Sequence, residues 1–228
     1  MATAQARLVS VNLAHVIDNP SHTYRGHRDT KPPKTGIDKR PADRPVRLHR
    51  LGVDGDTICD TRNHGGPDQA VYAYAVPDLD WWAEQLGAET ARRLVPGAFG
   101  ENLTLDGIEV TNSVIGERWR IGSAELQVAS PRIPCSTFAG FLDVAHWVKR
   151  FSEAGRPGAY LRVLVDGTVT AGDPVTVLER PAHGFTLAES FRLWHGEREL
   201  AAKALTAPQL PAELRARAAR WLAARDGA

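Results

Sequence analysis

Cysteine is scarce in this chain: 228 residues carry two, Cys59 and Cys135. Two thiols cannot form the four-cysteine cage of an iron–sulfur cluster or a thiol-rich zinc site, and they are too few for a disulfide framework. Any redox chemistry must therefore draw its electrons from elsewhere. Net charge is also nearly absent, with 28 basic against 27 acidic residues, so nothing global favours nucleic acid or an anionic membrane as a partner. No apolar run approaches the roughly 18 residues needed to span a bilayer. The stretch from Met1 to Ile17 is interrupted by Gln5, Arg7, Ser10, Asn12 and His15 and lacks the apolar core of a signal peptide. The expected location is cytoplasmic, with both thiols reduced. Neither Gly-x-Gly-x-x-Gly nor Gly-Lys-Ser/Thr occurs, which removes the common dinucleotide and P-loop signatures.

What is present is a chain punctuated by 20 glycines and 15 prolines. Short alternating or β-branched runs between these breaks predict strands at Leu8–Leu13, Val46–Leu51, Ala70–Ala75, Asn102–Leu105, Ile108–Val110, Arg118–Ile121, Glu125–Ala129, Ala159–Val165 and Val175–Leu178. So many short strands imply a mainly β barrel or sandwich. Helical spacing interrupts them at Asp78–Leu86, extending toward Leu94, and at Phe141–Phe151, both expected on the outside of the sheet. After Pro181 the turn residues thin out and three helices are predicted: Leu187–Trp194, Arg198–Ala204 and Ala212–Arg225. Thr186 and Glu189 form a capping box for the first. The expected organisation is a β domain over 1–180 and a three-helix appendage over 181–228. An appendage of that size should dock on the β domain or on a second subunit, which leaves a homodimer open. His22 and His27 in the early polar loop lack a third ligand at sensible spacing for a metal.

Reactive residues gather where strands should end. Cys135 follows Pro131-Arg132-Ile133-Pro134, so its backbone is stiff and a cation lies three residues away. A nearby guanidinium favours thiolate, the form that attacks sulfur or ligates a soft metal; the competing reading is an inert, small apolar residue. Cys59 precedes Asp60, which disfavours thiolate, and reads as incidental. The ordered set Lys34-Thr35-Gly36-Ile37, Gly52-Val53-Asp54-Gly55-Asp56, His64-Gly65-Gly66-Pro67-Asp68, Gly97-Ala98-Phe99-Gly100-Glu101-Asn102-Leu103, Ile115-Gly116-Glu117 and Pro131-Arg132-Ile133-Pro134-Cys135 resembles the MOSC domain family, the molybdenum-cofactor sulfurase C-terminal domain. Its order and spacing are most similar to the YiiM-like branch. That branch also carries a Gly-Arg-x-Gly-x-Tyr segment, here Gly155 to Tyr160, and a C-terminal three-helix appendage.

The resemblance implies a β-barrel with peripheral helices, the pyranopterin molybdenum cofactor, and reduction of small N-hydroxylated substrates such as hydroxylamines, amidoximes and N-hydroxypurines. It makes Cys135 the metal ligand and His64 a second catalytic residue bordering the substrate. Lys34 and Arg132 are placed to meet the pterin phosphate, Arg132 bidentately and Lys34 as a point charge. Thr35, Gly66 and Asn102 are the remaining expected cofactor contacts. Gln69 stands where many relatives carry Lys or Arg, so one anion contact is neutral here. Because the chain cannot house a cluster, an external flavin or iron–sulfur reductase is the implied electron donor. Competing uses exist for several of these residues: Arg132 bracing the barrel through Asp54 or Asp56, His64 capping a turn, and Asn102 and Glu101 satisfying backbone groups. Two rival functions keep the same residues, a persulfide sulfur carrier on Cys135 and a non-catalytic anion-binding module built on Lys34 and Arg132.

Overall fold

The structure is a computed structural model that describes residues 5–22 and 31–226. His27 and the side chain of His22 lie outside the described residues. The strands in chain order are β1 (Arg7–Ala14), β2 (Ile17–Asp18), β3 (Lys34–Thr35), β4 (Lys39–Pro41), β5 (Val46–His49), β6 (Gly52–Val53), β7 (Val71–Ala75), β8 (Leu103–Asp106), β9 (Arg118–Ile121), β10 (Ala124–Pro131), β11 (Ala159–Val165), β12 (Gly167–Val169) and β13 (Val175–Glu179). The helices are α1 (Val76–Ala91), α2 (Ser136–Leu142), α3 (Trp147–Ala154), α4 (Leu187–Trp194), α5 (Ala201–Leu205) and α6 (Ala212–Asp226).

Eight strands form one sheet in the order β13-β9-β10-β11-β7-β8-β1-β4, with β12-β5-β6 and β2-β3 as smaller sheets. Neighbours in the large sheet run antiparallel except β7 and β8, whose parallel pairing needs the α1 crossover between them. The expected closed barrel is not formed: the ladder ends at β13 and β4. The β13 flank touches β1 through an isolated bridge, Arg7 to Pro174, and backbone bonds such as Leu8 N–H to Asp173 O at 2.8 Å. Pro174 has no N–H to give, and the contact resumes beyond it where Val175 N–H donates to Ala6 O at 2.8 Å.

Alternation along the strands fills the sheet interior with Leu8, Val71, Leu103, Trp119, Leu126 and Leu161, all fully buried. Leu187, Leu193, Ala204, Leu214 and Ala218 from the last three helices, with Leu210 between α5 and α6, belong to the same apolar cluster. The Thr186–Glu189 capping box is formed at the start of α4. A second, aromatic cluster joins the other sheet face to α1, α2 and α3 through Trp82, Phe99, Phe138, Trp147 and Phe151. Truncating any of these rings to Ala costs about 3–5 kcal/mol.

Two predicted elements differ. Residues 108–110 form no strand. The segment expected as one helix over 141–151 is two, because Asp143 (φ 52°) and His146 (φ 58°) adopt the left-handed conformation and separate α2 from α3. As a result α2 begins at Ser136, directly after Cys135.

Candidate active site

The stiff Pro131–Pro134 run carries the chain out of β10 and leaves Cys135 as the N-cap of α2, with extended backbone (φ −127°, ψ 171°). Its thiol lines a cleft with an empty volume of about 740 Å³. Burial there opposes ionisation. A hydrogen bond from His64, the positive charge of Arg132 and the Phe138 backbone N–H outweigh it and bring the thiol down from 9.0 to about 6. Cys135 is therefore largely thiolate at neutral pH.

Arg132 is held by a chain of local constraints. Gly97 (φ 92°) and Gly100 (φ 72°) make a turn that side chains would block, since a Cβ on Gly97 would lie 2.2 Å from Lys39 O. Glu101, fully buried, locks that turn by accepting from Gly97 N–H at 2.6 Å and Phe99 N–H at 3.0 Å. The Phe99 carbonyl then accepts a hydrogen bond from Arg132 Nη1. The guanidinium sits 4.1 Å from the Phe138 ring centroid and 5.0 Å from that of Tyr72, in cation–π range. The alternative pairing of Arg132 with Asp54 or Asp56 is not what the fold builds. Asp54 faces His49 Nε2 at 3.4 Å, and Asp56 belongs to a different cation. Among the described residues no carboxylate forms an ion pair with Arg132.

That other cation is Lys39, which the sequence reading passed over. Its ammonium is buried against both Asp56 oxygens, at 2.6 and 2.5 Å, and lines the cleft. Burial lowers the Lys39 pKa while Asp56 works to raise it. Asp56 also accepts from Ala14 N–H at 2.8 Å and Asn102 Nδ2 at 2.8 Å. Asn102 spends its remaining capacity on the backbone, accepting from Tyr72 N–H at 3.1 Å and donating to Asn12 O at 3.3 Å. Its amide braces β1, β7 and Asp56 from a position on the cleft wall.

The other predicted residues divide. His64 meets Cys135 as described. Thr35 is buried in the cleft wall, its hydroxyl accepting from Ile37 N–H at 3.2 Å. Lys34 lies at the cleft edge with 57% of its side chain exposed and donates to Asp18 Oδ1 at 2.7 Å. Gly66 is not part of the wall; its neighbour Gly65 is. Cys59, read as incidental, does line the cleft. Burial raises its pKa, so it stays a neutral thiol. Lys39 carried a faint sequence signal, a cation five residues beyond Lys34 on the Pro41-terminated run.

The profile of the MOSC domain matches residues 60–176. The chain is 38% identical over 175 residues to the uncharacterized protein YflK of Bacillus subtilis (strain 168), covering 76% of this chain and 77% of that one. It is 30% identical over 183 residues to protein YiiM of Escherichia coli (strain K12), 80% of each. A protein named reductase from Gibberella moniliformis is 35% identical over 150 residues, which cover 64% of this chain and 26% of that protein. The crystal structure of YiiM from Geobacillus stearothermophilus superimposes with a TM-score of 0.75 at 28% identity, over 95% of this chain and 99% of that chain.

Proposed function

The chain belongs to the MOSC domain family, and from that premise we propose that it is an oxidoreductase that binds the molybdenum cofactor through Cys135 and reduces N-hydroxylated compounds. The observation that carries this reading is a thiolate-poised cysteine in a cleft beside a buried guanidinium that forms no ion pair with a carboxylate among the described residues. A soft, ionised sulfur suits a thiophilic metal and binds without first losing a proton. Arg132 fits an anionic group such as a phosphate, which would add to the negative charge of the Cys135 thiolate beside it. Lys34 adds a point charge from the edge once it leaves Asp18. Asn102 serves by fixing the Lys39–Asp56 pair.

When bound, the molybdenum centre supplies an oxygen acceptor and a two-electron exchange; the rest falls to the protein. The net conversion is R–NHOH plus two electrons and two protons to R–NH2 plus water. Arg132 and His64 hold Cys135 as thiolate, and the aromatic wall around Arg132 excludes water. His64, hydrogen-bonded to Cys135, is the residue assigned to deliver a proton there. The electrons come from an external flavin or iron–sulfur reductase, because the two thiols cannot hold a cluster. The setting is the cytoplasm; no helix among the described residues is long and apolar enough to cross a membrane. The kinship with a protein named reductase agrees with the reaction class.

Protein expressed in a cofactor-competent host should contain stoichiometric molybdenum by inductively coupled plasma mass spectrometry. Cys135→Ala should lose both metal and amidoxime reduction. Full activity in that variant would sink the ligand assignment. The same thiolate also favours a second reading, a persulfide carrier, which an adduct of one sulfur mass on Cys135 in molybdenum-free protein would support. If neither metal nor persulfide is found and the variant still binds anions, the non-catalytic module is left.

A further inference from the structure

Two polar groups of the cleft wall take no part in holding Cys135 or the Lys39–Asp56 pair. Gln69 lines the cleft, and its Oε1 is buried with no hydrogen-bond partner among the described residues. Tyr160 lines it as well, and among the described residues nothing hydrogen-bonds its hydroxyl. The neighbouring phenols are committed: Tyr72 donates to Pro157 O at 2.8 Å and Tyr74 to Arg156 O at 2.9 Å.

The fold brings these two groups together and fixes both. Tyr160 and Arg162 are two apart on β11 and so share a face of the strand. Arg162 Nε donates to Asp68 Oδ1 at 2.6 Å and Nη1 to Gln127 Oε1 at 2.9 Å. The helical turn Pro67–Gln69 is thereby clamped to β11 beside Tyr160. The Tyr160 ring is set against Tyr72 with centroids 5.1 Å apart. A buried acceptor without a donor is costly to keep, and a ligand that brings an N–H removes that cost.

We propose that Gln69 and Tyr160 are the specificity-determining pair of this site, Tyr160 donating its O–H to the substrate's N-hydroxyl group while Gln69 Oε1 accepts from an N–H on the same carbon. The cleft then prefers amidoximes, which carry an NH2 beside the C=N–OH group, over oximes that lack it. This rests on the N-hydroxyl reduction reading.

The test compares benzamidoxime with benzaldoxime on the cofactor-loaded protein. Calorimetric binding is measured without any electron donor, then KM and kcat with one. Gln69→Met keeps the side-chain length and Tyr160→Phe keeps the ring; circular dichroism and molybdenum content verify each variant. Gln69→Met should raise Kd and KM for benzamidoxime about tenfold, as expected for a lost buried hydrogen bond, and leave the benzaldoxime values within about twofold. Tyr160→Phe should weaken both compounds several-fold. Unchanged Kd for benzamidoxime in both variants overturns the pairing, as does absence of binding to the wild type. Gln69-dependent binding without any reduction would instead leave the pairing standing and remove the reductase reading. Reduction with unaltered constants in both variants would do the reverse.

Discussion

Ionisation of Cys135 makes the stability of the metal-free protein depend on pH in a way that a Cys135→Ser variant cannot reproduce. The thiol titrates near 9.0 when unperturbed and at about 6 in the fold. Three decades at about 1.4 kcal/mol each correspond to about 4 kcal/mol. Because the folded value is the depressed one, the unfolded chain binds the proton more tightly. The contribution is therefore complete above pH 9 and is lost as pH falls through 6. At pH 7 the unfolded thiol is protonated and the folded one mostly ionised, which leaves about 1.4 kcal/mol. Urea unfolding of wild type and Cys135→Ser under reducing conditions at pH 5, 7 and 9 measures it, since the two proteins differ only at this side chain. The gap between the two proteins should widen in favour of the wild type by several kcal/mol from pH 5 to 9. A gap that stays flat across that range refutes the claim that His64, Arg132 and the Phe138 N–H hold a thiolate. Iodoacetamide labelling followed by peptide mass spectrometry should show the same midpoint for Cys135, near 6, while Cys59 labels only at higher pH than an ordinary thiol.

Asp56→Ala strands the buried Lys39 ammonium and should destabilise the fold by about 3–5 kcal/mol, whereas Lys39→Met combined with Asp56→Ala should recover much of that loss; a denaturant series on the two variants separates the outcomes. Gly97→Ala forces a Cβ against the Lys39 carbonyl at a left-handed position, so a cost of about 2 kcal/mol or more is expected. If thermal unfolding finds Gly97→Ala neutral, the tight turn under Arg132 is not required.

Much of the β framework was readable from alternation. Arg118–Ile121 and Ala159–Val165 have the bounds that periodicity assigns, because each packs one side chain in two against the core. The division of 141–151 was not readable, since Val144, Trp147, Val148 and Phe151 keep helical spacing across it. Only the left-handed backbone at Asp143 and His146 reveals the break, and neither residue is a glycine that would have announced it. At the site, Cys135, His64 and Arg132 were legible as reactive residue types in turn-forming contexts. Lys39 was not, since an isolated lysine looks the same in sequence whether solvated or buried on a carboxylate 17 residues away. The bracing by the Asn102 amide was not legible for a related reason: its three partners come from β1, β7 and the Asp56 loop, which no local pattern places side by side.

The wall of the cleft draws on segments from Asn19 to Tyr160, and its closest partnerships span long loops of chain. His64 and Cys135 belong to segments separated by α1 and four strands of the large sheet. Such topology raises contact order and slows folding relative to locally wired proteins. During synthesis the nascent chain has no competent site until β11 has emerged and paired with β7 and β10. Any metal-bearing ligand met earlier encounters only two unstructured thiols. Completion of the cleft is thus an event in the life of the finished fold, and its timing is written into how far apart along the chain its walls were made.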